Sequence, residues 1–303
     1  MEANTSALRC AIMCSGTELP AWQARCVKEL LAVDGVELAL LIVPDIPPAA
    51  ARSPLRKLKN LRRLQGRLWS YYNRRIDALA KARYPTDLSR ILGEIPRLKC
   101  RVLKKGKFSE YFTESDVSAI RAYHLDFIVR FSFNIIRGDI LNVSRYGVWS
   151  FHHGDIEKYR GGPPCFWEIY FDEPFTGVTL QRLNERLDGG IVLRIERFPT
   201  IQSSYLRNRD AAHFLGVSWP ADLCRSLLAG QSGHLHDPPT VSSAPVLRLP
   251  SNRAMLIFFL RLLKNRWNEA LRGPKYLNTT ASDVESRPRS QSVIARQIQG
   301  RVK

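Results

Sequence analysis

The chain has 303 residues, of which 45% are hydrophobic, and a formal net charge of +18 at neutral pH. This length supports one large domain, or one and a half, with a real core. The charge favours contact with something anionic, such as a phosphate, a nucleic acid or an acidic lipid surface. Six cysteines are scattered without the close pairs of a zinc site, so we expect a reduced, cytoplasmic protein that binds no metal. No apolar run reaches the length of a membrane span, and the first residues lack a signal-peptide pattern.

The first part of the chain alternates strand and helix patterns. Residues 8–15 and 36–43 are apolar runs, and residues 22–33 between them have helical spacing. This order predicts a βαβ unit and a parallel sheet. Only Gly16 lies at the first turn, so the glycine fingerprint of dinucleotide binding is absent and we expect no NAD or FAD site.

A basic segment follows a proline-rich loop. Residues 55–83 have helical spacing and carry ten Lys or Arg but one acid, Asp77. They form either an amphipathic helix with buried leucines and solvated charges, or a basic surface for phosphate, RNA or membrane contact. We favour the first interpretation, in which the solvated charges also attract phosphate groups.

The middle of the chain leads into a polar cluster. A helix is predicted over residues 114–124 with Thr113 as N-cap, then a central strand over 126–133 and a short strand over 146–151 that ends at two histidines. Open α/β sheets bind ligands at the carboxyl ends of their strands. Further elements are predicted as a helix at 165–170, strands at 176–183 and 191–198, helices at 206–215, 220–228 and 251–272 with Ser251 as N-cap, and a disordered tail at 274–303.

Each polar residue of the cluster has a structural alternative. Consecutive side chains of a strand or loop point apart, so only one of His152 and His153 should enter a given site. Such a pair is more often structural than catalytic, although either ring could work near neutral pH. Asp188 precedes glycine between two apolar segments, which also predicts a plain hairpin turn. Arg160 could hold an anion or be a solvated surface residue.

Four motifs occur together in the segment 126–193. They are Ser150-Phe151-His152, Tyr159-Arg160-Gly161-Gly162-Pro163-Pro164, Thr176-Gly177-Val178-Thr179 and Leu187-Asp188-Gly189-Gly190. In this order and spacing the segment resembles the folate-dependent formyltransferases, which include methionyl-tRNA, glycinamide ribonucleotide and amino-sugar formyltransferases. The resemblance implies a Rossmann-like α/β fold with a mostly parallel sheet flanked by helices.

The resemblance also implies an activity. In that family an amine attacks the formyl group of 10-formyltetrahydrofolate, and the reaction needs a donor for the oxyanion and a route for the amine proton. His152 would polarise the formyl carbonyl and relay a proton, and Asp188 would orient His152 and help to draw the proton from the amine. The family's folate pocket is lined by backbone, which here implies residues 130–136 and 183–188, among them Phe131, Phe133, Ile135 and Leu187. Those expected for the acceptor are Tyr159, Arg160, Gly161 and His153.

Ser150 departs from the family pattern, which has asparagine there as the donor to the formyl oxygen. Loss of such a donor costs about a hundredfold or more in rate. Three explanations are open: Ser150 donates through a water, His153 supplies the hydrogen bond, or the chain is a weak or inactive relative.

The expected organisation is a catalytic domain over residues 1–200, a small helical extension over 201–273 and the tail. The tRNA enzyme of the family carries a β-barrel after its catalytic domain, and no such strand pattern is apparent here, which argues against tRNA as acceptor. The sequence therefore predicts N-formylation of a primary amine, with a nucleotide-linked amino sugar as first choice because a basic surface suits its diphosphate. The alternatives are a non-catalytic binding module on the same fold, a methionyl-tRNA formyltransferase-like activity, and RNA binding through the basic helices. Contact with a membrane surface is a further option for those helices.

Overall fold

The structure, a computed structural model, describes residues 7–45, 66–106, 108–239 and 243–273. The predictions for residues 55–65 and for the tail lie outside these ranges. The strands are β1 (Leu8–Met13), β2 (Glu18–Pro20), β3 (Val36–Pro44), β4 (Pro85–Asp87), β5 (Arg97–Cys100), β6 (Val102–Lys105), β7 (Ser109–Phe112), β8 (Phe127–Arg130), β9 (Ile135–Arg137), β10 (Val148–His152), β11 (Arg160–Gly161), β12 (Phe175–Arg182), β13 (Ile191–Pro199) and β14 (Val246–Leu247). The helices are α1 (Ala21–Leu31), α2 (Arg67–Leu79), α3 (Ser89–Leu92), α4 (Glu114–Arg121), α5 (Phe166–Phe171), α6 (Tyr205–Leu215), α7 (Trp219–Leu228) and α8 (Asn252–Arg272).

A seven-stranded sheet in the order β13-β12-β10-β8-β1-β3-β5 organises the described part of the chain. The strands β5, β3, β1, β8 and β10 pair in parallel, and β12 and β13 add an antiparallel edge. The chain first builds outward from β1 to β5 and then returns to the other side of β1 with β8. Sheets that reverse in this way bind ligands at the carboxyl ends of the strands beside the reversal, which are β1 and β8 here. The predicted mostly parallel α/β fold is confirmed.

The two faces of the sheet bury different side chains because residues alternate along each strand. Trp149 lies on one face, stacked on Phe127 with 4.2 Å between ring centroids, a geometry that contributes about 1 kcal/mol beyond simple burial. Val148 lies on the other face, in a cluster with Ile128 and Ile120 of α4. By the same alternation Ser150 and His152 belong to the face of Val148.

Two helices begin at the predicted N-cap residues. Thr113 accepts a hydrogen bond from the backbone N–H of Asp116 at the start of α4, and Ser251 does the same for Ala254 at the start of α8. Both side chains satisfy an N–H group that the first turn would leave without a partner. The strand predicted over 126–133 is shorter, because β8 ends at Arg130 and Phe133 adopts a left-handed conformation with φ of 63°.

The helices after residue 200 pack onto the sheet. Tyr205 of α6, Trp219 of α7 and Phe258 of α8 are fully buried in the same cluster as Trp149. Within the described residues, no helix combines the length and apolarity needed to cross a membrane.

Candidate active site

The site begins at the carboxyl end of β10. Ser150 is buried and His152 is the last residue of the strand. Because they are two residues apart, both side chains leave the same face of the sheet. Strand pairing sets Ser150 beside Arg130 of β8 on one side and opposite Gln181 of β12 on the other. This arrangement brings a hydroxyl, an imidazole, a guanidinium and an amide to one edge of the sheet.

The carboxylate of Asp188 faces the imidazole of His152. The distance from His152 Nδ1 to Asp188 Oδ1 is 3.4 Å, and the two side chains are 15% and 10% exposed. This separation is longer than a good hydrogen bond, and catalytic hydrogen bonds often shorten only when substrate is bound. The two residues singled out from the sequence are therefore neighbours, although 36 residues of chain separate them.

The loop between β12 and β13 holds Asp188 in place. Its backbone is left-handed, with φ of 48°, a conformation that Asp tolerates better than most residues. Gly190 lies so close to the carbonyl oxygen of Arg182 that a side chain there would collide with it. The second carboxylate oxygen, Oδ2, accepts the backbone N–H of Gly161 at 3.0 Å. Asp188 thus links the imidazole to the loop that begins at Tyr159.

Arg130 surrounds the hydroxyl of Ser150. Its Nε and Nη2 atoms lie 3.1 and 2.8 Å from Ser150 Oγ. Its Nη1 atom donates to the carbonyl oxygens of Phe133 and Asn134 at 3.1 and 2.6 Å. Burial lowers the pKa of Arg130, and the nearby carboxylates of Asp188 and Glu110 oppose this shift. The family resemblance implies that residues 130–136 border the folate, but it does not identify the guanidinium of Arg130 as a partner of Ser150.

His153 points away from His152 into an aromatic cluster. Its ring stacks on His213 with centroids 4.0 Å apart and meets the edge of Trp22 at 4.9 Å. Burial, reinforced by the neighbouring His213, lowers the pKa of His153 well below its usual value. The ring is therefore neutral at physiological pH. His153 still borders the cleft together with Gly154.

The residues predicted for the acceptor line a cleft next to His152. Tyr159 is buried, with its hydroxyl lacking a hydrogen-bond partner among the described residues. Arg160 donates from Nε to the carbonyl oxygen of Ala244 at 2.9 Å. Gly161 completes the link to Asp188. These residues share the cleft with His152 and Glu168.

The residues predicted for folate lie around the end of β8. Phe131 packs edge-on against Trp22 at 5.4 Å, so its ring belongs to the aromatic cluster. Phe133 contacts Phe112 at 4.9 Å on the other face of the sheet. Ile135 lies in β9, and Leu187 is partly exposed beside Asp188. The side chains of this set are therefore divided between the two faces of the sheet.

Two buried polar groups near the site were not identified from sequence. Glu168 of α5 lines the cleft, and its burial raises the pKa of its carboxyl to about 8. Gln181 Oε1 is buried without a hydrogen-bond partner in the described part of the chain. Among the described residues, no cluster of His, Cys, Asp or Glu is arranged to hold a metal ion.

Comparison with known proteins gives short but consistent matches. No known protein-family model matches the chain. It is 34% identical over 85 residues to a methionyl-tRNA formyltransferase from Lachnospira eligens, a match that covers 28% of this chain and 27% of that protein. Over 180 residues it is 24% identical to a methionyl-tRNA formyltransferase from Azobacteroides pseudotrichonymphae, covering 59% of this chain and 52% of that protein. The matches thus span from about a quarter to about half of the length of these relatives.

Among solved structures, a sugar N-formyltransferase from a Shewanella species superposes with a TM-score of 0.46 and 15% sequence identity. The superposition covers 84% of this chain and 88% of that protein.

Proposed function

We propose that this chain, a relative of the formyltransferases, transfers a formyl group from 10-formyltetrahydrofolate to a primary amine. The observation that carries the proposal is the grouping of Ser150, His152 and Asp188 at the carboxyl end of β10. Acyl transfer to an amine needs a hydrogen-bond donor for the carbonyl oxygen and a base for the amine proton. These three side chains can supply both functions.

The residues present suit a formyl donor bound across the ends of β8 and β10. Two polar atoms at this edge are positioned to meet a ligand. The hydroxyl proton of Ser150 has no acceptor among the described residues, and the amide oxygen of Gln181 has no donor among them. Buried polar atoms left without partners cost about 1–3 kcal/mol each, so a ligand with a carbonyl and ring N–H groups would relieve that cost. When bound, the folate supplies the activated formyl group.

His152 would act as the proton carrier of the site. Because Nδ1 faces Asp188, that nitrogen holds the proton of the neutral ring and Nε2 is left to accept one from the amine. Asp188 would fix this tautomer and stabilise the imidazolium that forms. A positioned general base of this kind contributes about a hundredfold to ten-thousandfold in rate.

Ser150 would donate to the oxygen on which negative charge develops. Its hydroxyl replaces the amide that the resembling family carries at this position, and it leaves β10 on the same face as His152. Donor and base therefore approach a bound formyl group from the same side of the sheet.

For the acceptor we propose a nucleotide-linked amino sugar. The net charge of +18 and the guanidinium of Arg160 at the cleft suit a diphosphate. Methionyl-tRNA is the second candidate, because the curated relatives carry that name and a basic chain also suits a nucleic acid.

The test combines binding and turnover. Calorimetry should detect binding of 5-formyltetrahydrofolate, and single-turnover assays with 10-formyltetrahydrofolate should detect transfer to one member of a panel of nucleotide-linked amino sugars, glycinamide ribonucleotide and methionyl-tRNA. His152→Ala should lower the rate at least about a hundredfold. The enzyme proposal fails if neither the native chain nor Ser150→Asn binds the folate.

The alternatives have separate signatures. A non-catalytic module would bind the folate or a phosphate-bearing partner without turnover, and His152→Ala would leave its binding unchanged. RNA binding through the basic helices would show an affinity that falls steeply as salt rises.

A further inference from the structure

The structure assigns a positioning role to Arg130: its guanidinium holds the hydroxyl of Ser150 so that this serine replaces an amide as the hydrogen-bond donor to the formyl oxygen. This inference rests on the proposed formyl transfer.

The geometry of the Ser150 hydroxyl fixes the direction of its proton. A serine oxygen has two acceptor lone pairs and one proton. Arg130 donates to Ser150 Oγ from both Nε and Nη2, at 3.1 and 2.8 Å. Both N–H groups reach the oxygen from the same side, so the O–H bond must point away from the guanidinium. Among the described residues none accepts that proton, so it is available to a ligand.

The charge of Arg130 strengthens the Ser150 hydroxyl as a hydrogen-bond donor. Hydrogen bonds from a charged donor are roughly twice as strong as neutral ones, and they polarise the group that accepts them. A hydroxyl that accepts two bonds from a guanidinium is therefore a stronger donor than an isolated serine. The arrangement compensates for the weaker dipole of serine relative to an asparagine amide.

Arg130 is itself held in place by the loop that follows β8. Its Nη1 atom donates to the carbonyl oxygens of Phe133 and Asn134. The buried carboxylate of Glu110 fixes that loop by accepting the backbone N–H of Asn134 at 2.8 Å and its side-chain amide at 2.6 Å. The guanidinium therefore cannot turn away from Ser150 without breaking several hydrogen bonds. Preorganised donors of this kind need no rearrangement when charge develops.

A structural role for Arg130 would also explain the bonds to the loop, so the test must separate the two. We would compare the native chain, Arg130→Met, Ser150→Ala and the double variant. The measured quantity is release of tetrahydrofolate from bound 10-formyltetrahydrofolate in single turnover, with the fastest amine of the panel or with water as formyl acceptor.

If Arg130 acts through Ser150, Arg130→Met should slow release about tenfold to a hundredfold in the native background. In the Ser150→Ala background the same change should cost less than about threefold, because the hydroxyl it serves is gone. Arg130→Lys should recover part of the rate, since an ammonium keeps the charge but lacks the fixed pair of N–H donors of the guanidinium. An equal cost in both backgrounds would overturn the proposal and leave Arg130 as a support for the loop.

Binding provides a readout that does not depend on turnover. Calorimetry with 5-formyltetrahydrofolate, which carries a planar formyl group, should give dissociation constants within about threefold for the native chain and Arg130→Met. A folate analogue with a phosphonate in place of the formyl group should bind the variant at least about tenfold more weakly. Equal weakening of both ligands would also contradict the proposal.

Arg9→Met is the matched control. Arg9 lies at the opposite end of the sheet and pairs with Glu37 on the surface, so this variant loses the same charge without touching the site. Its rate and affinities should equal those of the native chain. Failure of the native chain to bind any folate would refute the proposed function. Normal turnover of the native chain, with rate losses from Arg130→Met and Ser150→Ala that add in the double variant, would refute only the role of Arg130.

Discussion

A methyl group added to Gly154 tests the position of the His152 ring directly. The new carbon would lie 2.8 Å from His152 Nε2 and 3.2 Å from its Cδ2, whereas ordinary contacts begin at 3.4 Å. The imidazole must therefore retreat by about 0.6 Å to restore normal contact. The distance from His152 Nδ1 to Asp188 Oδ1 is already 3.4 Å. A displaced ring would therefore lose its alignment with Asp188 or with the bound substrates.

We expect Gly154→Ala to slow formyl transfer about tenfold, since a misplacement of about 1 Å costs about a hundredfold. The backbone of Gly154 is not left-handed, so alanine adds no backbone strain beyond the contact with His152. Replacing glycine where alanine is compatible gains about 0.4–1 kcal/mol through the unfolded state, which offsets part of the steric cost. The free energy of unfolding should therefore change by less than about 1 kcal/mol.

The assay is single-turnover transfer from 10-formyltetrahydrofolate, accompanied by thermal unfolding of each variant. Gly233→Ala is the control, because no atom of the described residues lies within 4 Å of the carbon it adds. Full activity in Gly154→Ala would refute the argument, since it would mean that the chemistry does not depend on the position of the His152 ring. An equal loss in the control would show that the effect is not local.

Three further outcomes are expected. Asp188→Asn should lower the transfer rate about tenfold to a hundredfold, because hydrogen bonds to charged groups are worth about 1.5–3 kcal/mol. The amide oxygen can still accept the N–H of Gly161, so the loop should keep its position. The transfer rate is measured as a function of pH. Glu168 has a folded pKa of about 8, above its ordinary 4.5, so the folded chain keeps a proton that the unfolded chain releases. Stability should fall as pH rises from 4.5 to 8, and Glu168→Gln should remove this dependence from melting temperatures taken over that range. Burial lowers the pKa of His213 to about 4 from an ordinary 6.5, so only the unfolded chain binds the proton between those values. Acidification from 6.5 to 4 should therefore cost up to about 3 kcal/mol, and a His213→Phe variant that keeps the full acid dependence in denaturant titrations would contradict the assignment.

Local patterns in the sequence predict much of this fold. Hydrophobic spacing locates the strands and helices, and single side chains locate helix starts, as Thr113 and Ser251 do. Alternation along β10 correctly separates His152 from His153, because it depends only on neighbouring residues. The four motifs bring Asp188 to the same site as His152, which the structure reproduces at 3.4 Å.

What the sequence did not predict depends on distant strands and on burial. The bond between Arg130 and Ser150 follows from the parallel register of β8 and β10, which no local pattern specifies. An arginine at the end of an apolar strand was the signal that could have found it. The raised pKa of Glu168 follows from burial in the cleft, which a short helix with one acid does not reveal. The strand predicted over 126–133 is too long for a similar reason. The left-handed backbone of Phe133 is set by the loop around it, and the strand pattern does not show that loop.

The two oxygens of the Asp188 carboxylate have a consequence for how such a protein diversifies. One oxygen faces the His152 imidazole and the other holds the N–H of Gly161 in the cleft loop. A substitution that reshapes this loop for a new acceptor therefore also shifts the Asp188 carboxylate, which orients the His152 imidazole. Turnover and acceptor preference should consequently vary together in any library built on residues 159–164. Selection for a different amine would then have to proceed through changes at the walls of the cleft, such as α5, that leave the shared carboxylate undisturbed.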